Sequence, residues 1–324
     1  GDDRIEFDIP GTAVPTIAPA SPLPVAQGPV TIDASTQEAG RVELTGGAIA
    51  AGEPVDGLVL DGQDAKVQGL AIGAFSGSGV VLRGSGSHDI IGNLIGVGAD
   101  GTTAAPNTKA GVVVESPANV IGGTGPLANT IAYNFTEVEP TEPEPGTTAD
   151  EATATFADLS GNILIGANGG AQIADNKIGA GPGVIVYGPI AASGVDIHDN
   201  TFTSELAVGT VYADGSTGRV QVRHNTIGNA GGDTVIAAVL AGGGVGRTTF
   251  VDNTLTGVTV GALVAGVPTT AGLDITGNEF GDTKLGLLSL STSDMTVVDN
   301  IIGGTIGVLA LGDGTSAYGN NEFR

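Results

Sequence analysis

Gln172-Ile173-Ala174-Asp175-Asn176-Lys177-Ile178-Gly179 is followed 24 residues later by Asp196-Ile197-His198-Asp199-Asn200-Thr201-Phe202-Thr203, and the frame returns as Gln221-Val222-Arg223-His224-Asn225-Thr226-Ile227-Gly228. It continues through Asn253, Asn278 and Asn300 at intervals of 28, 25 and 22 residues. Three positions before each Asn stand Ile173, Ile197, Val222, Phe250, Ile275 and Val297, and two positions after it Ile178, Phe202, Ile227, Leu255, Phe280 and Ile302. Every one of these is apolar. The position before the first apolar column is polar throughout: Gln172, Asp196, Gln221, Thr249, Asp274 and Thr296. Alternation with period two is the mark of a half-buried strand, not of a helix. The unit reads as strand, corner, strand, and a further strand follows in runs such as Gly183-Val184-Ile185-Val186 and Gly261-Ala262-Leu263-Val264. Two or three short strands in about 24 residues, with glycine corners, make one rung of a solenoid.

The expected fold is therefore all-β, a single-stranded right-handed parallel β-helix of about a dozen rungs. Each rung lays its strands over the previous one, so like residues stack in columns. The repeated Asn is expected at an inward corner, in the left-handed conformation, with its amide bonded to the Asn above and below. Asp89-Ile90-Ile91-Gly92-Asn93-Leu94-Ile95-Gly96 fits the same frame, whereas Leu70 stands where the next Asn toward the N-terminus belongs. Residues 1–30 are richer in Pro and carry Ile5-Glu6-Phe7-Asp8-Ile9 in strict alternation; they read as an N-terminal strand and cap segment, since an open β-helix end exposes unpaired edges. Residues 31–324 form the β-helix. It is interrupted at about 136–154 by an insertion with Glu137, Glu139, Glu142 and Glu144 among Pro140, Pro143 and Pro145, which no strand accommodates. At the other end the rung through Tyr318 and Phe323 shows no polar cap, which points to a chain cut from a longer protein or to end-to-end contact through the C-terminal rung.

Composition limits the function. The 324 residues include 56 Gly, no Cys and no Trp, with 35 acidic against 11 basic residues. A net charge of −24 disfavours nucleic acid and anionic membrane surfaces as partners. Without Cys there is no disulfide, thiolate metal site or thiol nucleophile. The longest uncharged run, 253–273, carries Gly257, Gly261, Gly266 and Pro268 and reads as strands and turns, so membrane insertion is not expected. An acidic, lysine-poor surface suits an extracellular or cell-surface location.

The N-terminal part resembles a family of large bacterial and archaeal surface or secreted proteins with right-handed parallel β-helix repeats. The resemblance lies in Ile5-Glu6-Phe7-Asp8-Ile9-Pro10-Gly11, in Val30-Thr31-Ile32-Asp33-Ala34-Ser35-Thr36-Gln37, and in Gly92-Asn93-Leu94-Ile95-Gly96-Val97-Gly98-Ala99-Asp100-Gly101-Thr102. It covers roughly residues 1–134. Val97 and Gly98 replace the Thr-Asp pair of the family's recurring segment, and the Cys-Ser-Leu-Arg-Glu-Ala stretch that often precedes its lead-in strand is absent. The resemblance implies an extracellular β-helix and no single activity.

Three groups of residues carry candidate chemistry. The column just before the repeated Asn holds Asp175, Asp199, His224, Asp252, Gly277 and Asp299. Adjacent rungs bring such side chains about 5 Å apart. Asp175, Asp199, Asp252 and Asp299 are thus candidate calcium ligands, and Asp175 with Asp199 and His224 is the candidate acid–base set if the protein is an enzyme. The plainer reading is that Asp and His before Asn are corner residues. The polar surface of Gln172, Asp196, His198, Gln221 and Arg223 can hydrogen-bond glycan hydroxyls, and Tyr187 and Tyr212, 25 residues apart, can stack on sugar rings. The expected function is a non-catalytic extracellular structural or adhesive module that binds cell-surface glycan or divalent cations. The alternatives are a polysaccharide-active lyase, hydrolase or epimerase, and a segment of a longer surface fibre.

Overall fold

A computed structural model describes residues 3–135, 161–187, 189–204, 206–212, 218–228, 236–242, 248–265, 272–290, 295–311 and 316–324. The acidic insertion at about 136–154 lies outside them. The described chain is a parallel β-solenoid of about ten turns. Each full turn has three sides. In one central turn these are Ala171–Ala174 on the first face, Lys177–Gly179 on the second and Val184–Tyr187 on the third. Each pairs in parallel with its counterpart one turn on, Val195–His198, Thr201–Thr203 and Leu206–Tyr212.

The first face is a 12-stranded sheet, but the third face is shorter, so about ten turns stand against the expected dozen rungs. The opening rung has only the isolated bridge of Ala26 with Leu60 on that side, and the closing rung ends at Glu322–Phe323 on the second face. Twelve parallel strands at a spacing of about 4.8 Å give a rod about 53 Å long. The segment read as a cap is itself laid down as this opening rung: Asp3–Glu6 pairs with Val30–Asp33, and Thr16–Ile17 with Val42–Thr45. Gln37, 2% exposed, pins it by donating from Nε2 to the Ile9 carbonyl and accepting the Ile9 N–H on Oε1, both at 2.9 Å.

The period-two pattern fixes which side chains turn inward. On the first face Ile121, Ile173, Ile197, Val222, Phe250, Ile275 and Val297 stand in register and are fully buried. On the second face the column runs Ile178, Phe202, Ile227, Leu255, Phe280 and Ile302. A core this thin is made of single side chains stacked in register, rung on rung.

The corner between the first two faces spans two residues, such as Asp175 and Asn176. The left-handed residue is the first of them and not the Asn, contrary to the sequence expectation: φ is +59° at Asp175, +56° at Asp199, +54° at His224, +52° at Asp252 and +57° at Asp299. Asp, Asn and His tolerate this region better than other side chains because short polar groups bond locally. Reversal at that residue turns the following Asn inward. Its Nδ2 then donates to Oδ1 of the Asn one turn on, through Asn93, Asn129, Asn176, Asn200, Asn225, Asn253, Asn278, Asn300 and Asn321, at 2.9 to 3.4 Å. Leu70 breaks the column, and its backbone N–H instead caps Asn93 Oδ1 at 3.0 Å. A second, shorter ladder, Asn107 to Asn134 to Asn162, stands at the corner between the second and third faces.

Candidate functional site

The corner column does not converge on a site. Asp175, Asp199, His224, Asp252 and Asp299 project from one rim of the rod, each from its own left-handed corner. The contacts that form are not those expected between Asp175 and Asp199. Asp199 accepts from His198 Nδ1 at 2.7 Å, and His224 Nε2 lies 3.6 Å from Asp252. Among the described residues no three His, Asp or Glu side chains come together as a cation site requires.

The polar surface beside it is a self-satisfied network. Gln172 Nε2 lies 2.8 Å from His198 Nε2. The Gln172 amide nitrogen donates to His198 Nε2, and His198 Nδ1–H donates to the Asp199 carboxylate. Arg223 clamps Asp196 through Nε at 3.1 Å and through the second guanidinium nitrogen at 2.8 Å. That bond to Asp196 raises the Arg223 pKa above its ordinary value. Gln221 stands in register between Asp196 and Thr249. The two tyrosines do not share a column: Tyr187, 40% exposed, pairs with Val211, which puts Tyr212 one residue further along, and the Tyr212 side chain lies outside the described part.

A concave surface lies on the second face, a groove of about 470 Å³. Three consecutive strands, Thr130–Ala132, Lys177–Gly179 and Thr201–Thr203, pair in register and form its floor. Thr130, Lys177 and Thr201 make one outward column; Ala132, Gly179 and Thr203 make the next. The small residues Ala132 and Gly179 leave the depression. One wall is Tyr133, 40% exposed, turned outward by its left-handed φ of +62° at the end of its strand.

The other wall is a hairpin that leaves the corner after Leu94–Ile95, one rung earlier. Val97 and Ala104 form the antiparallel bridge of the described chain, Gly98 N–H donates to the Thr103 carbonyl at 2.8 Å, and Ala105 N–H donates to the Gly96 carbonyl at 2.9 Å. Gly96 starts the excursion at φ +78°, and a side chain there would strike the Ala132 carbonyl. Asp100 closes the tip: its carboxylate accepts the Thr102 and Thr103 N–H groups at 2.8 Å and the Thr103 hydroxyl. Those bonds, the Thr103 hydroxyl foremost, hold the Asp100 carboxyl at about 2, so it stays ionised and committed to the tip. Val97, Gly101 and Thr102 of this hairpin face the groove.

Among the described residues no carboxylate lines the groove, and Lys177 is the one charged lining residue. What it offers is hydroxyl groups, an aromatic face and an ammonium, all suited to a polyhydroxylated ligand. Sequence reasoning passed over it. Thr130, Lys177 and Thr201 each follow a ladder Asn directly, so their column was legible, but nothing in the spacing showed that residues 97–104 fold over it.

No family model matches the chain, and neither a curated protein nor a solved structure matches it.

Proposed function

We propose that the chain is a non-catalytic, extracellular structural and adhesive module that holds glycan in the groove on its second face. The observation that carries this reading is the groove itself, with Tyr133 and the hydroxyls of Thr102, Thr130, Thr201 and Thr203 along one open depression of a rigid rod. Rigid elements present such groups with little entropy to lose on binding. Glycoside hydrolysis, by contrast, uses two carboxyl groups about 5 to 10 Å apart across a cleft. The carboxylates of the corner column stand outside the groove, and Asp199 is already partnered by His198. The acidic, lysine-poor surface and the resemblance of residues 1–134 to secreted β-helix proteins support the extracellular location.

The experiment is a glycan array with the wild-type chain and Tyr133→Ala. Retention on a defined set of glycans, lost in the variant while its melting temperature is kept, supports the reading. Retention on none argues against it.

A second reading, association of two copies through the last rung of this chain, has its own support. Leu311 is 67% exposed, Phe323 61% and Tyr318 45%, and the strand edges there carry no partner among the described residues. Sedimentation of wild type and Phe323→Asp tests it; a monomer in both removes it.

A further inference from the structure

We infer that the groove selects an acidic glycan, a short oligosaccharide laid along the rod axis with its carboxylate or sulfate group on the Lys177 ammonium and a sugar ring against Tyr133. The inference rests on the glycan-binding reading above and adds the chemical class of the ligand.

Direction and length come from the floor. Three strands at a spacing of about 4.8 Å make a track about 10 Å long, running across the strands and along the axis. The outward column that Lys177 occupies continues beyond the groove as Thr226, Thr254 and Glu279. A cation therefore stands in this column at the middle strand of the groove floor, and the column turns acidic only at Glu279, three rungs past the groove's last lining strand. The Lys177 side chain is exposed and its ammonium makes no ion pair or hydrogen bond among the described residues, so its three donors are free for a ligand.

Charge decides between acidic and neutral sugars. In a chain of net charge −24, a ligand groove with one cation and no anion among its described lining residues is set apart from the average surface. The long-range field of the protein repels an anion, but at physiological ionic strength that field decays over about 8 Å. A direct ammonium contact is not screened away in the same manner, least of all against a partly apolar wall that keeps water from one side of it. An ammonium acts as a point charge without the planar fork of a guanidinium, so it fits a carboxylate and a sulfate alike. The Asp100 carboxylate on the neighbouring hairpin keeps its charge but is turned to Thr102 and Thr103 and is not a lining residue of the groove.

Isothermal titration with three tetrasaccharides of matched length, one of uronates, one sulfated and one neutral, tests this with the wild type, Lys177→Gln and Tyr133→Ala. The expected result is binding of the uronate or the sulfated ligand, weakened about tenfold by Lys177→Gln as a charge-assisted hydrogen bond is lost. Neutral ligand is expected to bind more weakly and to be indifferent to Lys177→Gln, while Tyr133→Ala weakens every ligand that binds. Whichever of the two acidic ligands binds more tightly identifies the anionic group. Neutral ligand bound as tightly as acidic, with no effect of Lys177→Gln, overturns the acidic assignment and leaves the glycan reading standing. Failure of all three to bind the wild type overturns both. Lys177 is exposed, so an unchanged melting curve for Lys177→Gln serves as the folding control.

Discussion

Asn200 and Asn225 are joined head to tail: Nδ2 of Asn200 donates to Oδ1 of Asn225 at 3.1 Å, and the same oxygen accepts the Asn200 backbone N–H at 3.0 Å. Nδ2 of Asn200 also reaches the carbonyls of Ile173 and His198 at 2.8 and 2.9 Å. One carboxamide thus closes its own corner and both neighbouring rungs. Its removal leaves the buried Asn176 N–H without this acceptor and takes a donor from the Ile173 carbonyl, while the His198 carbonyl keeps the Asp175 N–H; a buried group left unsatisfied costs about 1–3 kcal/mol. Asn200→Ala is expected to destabilise by about 3 kcal/mol or more in denaturant unfolding. Asn321→Ala, at the half-buried end of the ladder, is expected to cost about 1 kcal/mol. Equal costs at the two positions would show that the ladder is incidental.

The corner residues before the ladder Asn are chosen for backbone conformation. Elsewhere the same left-handed region is occupied by exposed Ala118, at φ +58°, with no polar side chain to favour it. Ala118→Gly is expected to stabilise by up to about 1 kcal/mol, since the left-handed region costs an L-residue about 1–2 kcal/mol and glycine gives some of this back in chain entropy. At Asp199, whose side chain also partners His198, replacement by Ala is expected to destabilise and replacement by Asn to cost less; thermal melts of the three variants check this ordering.

The groove's hairpin depends on an ionised Asp100. Its folded pKa, about 2, lies below the unfolded value of about 3.9. A depressed carboxyl contributes stability that is complete above the unfolded value and disappears as pH falls through the folded one. The hairpin is therefore expected to stay closed at pH 4 and to loosen toward pH 2, as read by the carboxyl resonance of Asp100. Thr103→Val removes the largest cause of the depression and is expected to move the midpoint up toward the ordinary carboxylate range; an unmoved midpoint contradicts the assignment.

Calcium was a sequence expectation for Asp175, Asp199, Asp252 and Asp299. These side chains leave a single rim, and Asp199 is paired with His198 and Asp252 lies beside His224. The melting temperature is expected to be the same in millimolar calcium and in chelator. A rise in calcium that Asp175→Asn with Asp199→Asn removes would reinstate the site, because a ligand that binds only the folded state raises its stability.

The fold was legible because it is periodic. A column such as Ile173, Ile197 and Val222 announces itself by spacing, and the Asn that follows it marks the corner. Which corner residue is left-handed was not legible, since Asp199 and Asn200 are both residues that visit that region. The second ladder of Asn107, Asn134 and Asn162 escaped because insertions stretch its spacing to 27 and 28 residues in a region where the frame blurs. Register decided against the tyrosine pair: 25 residues separate Tyr187 from Tyr212, but the local rung advance is 24, as Tyr187 opposite Val211 shows. The groove was missed for a different reason. It is made between a regular face and an irregular hairpin, and periodicity describes only the first.

The most direct test of binding without cleavage is to incubate the wild-type chain with the glycans it retains and to measure retention and product release in the same samples, by reducing-end and unsaturated-sugar assays. The expected result is retention that Tyr133→Ala abolishes, with no product above the buffer control. Product that disappears in Asp175→Asn, Asp199→Asn or His224→Gln would contradict the account and place an active site on the corner column.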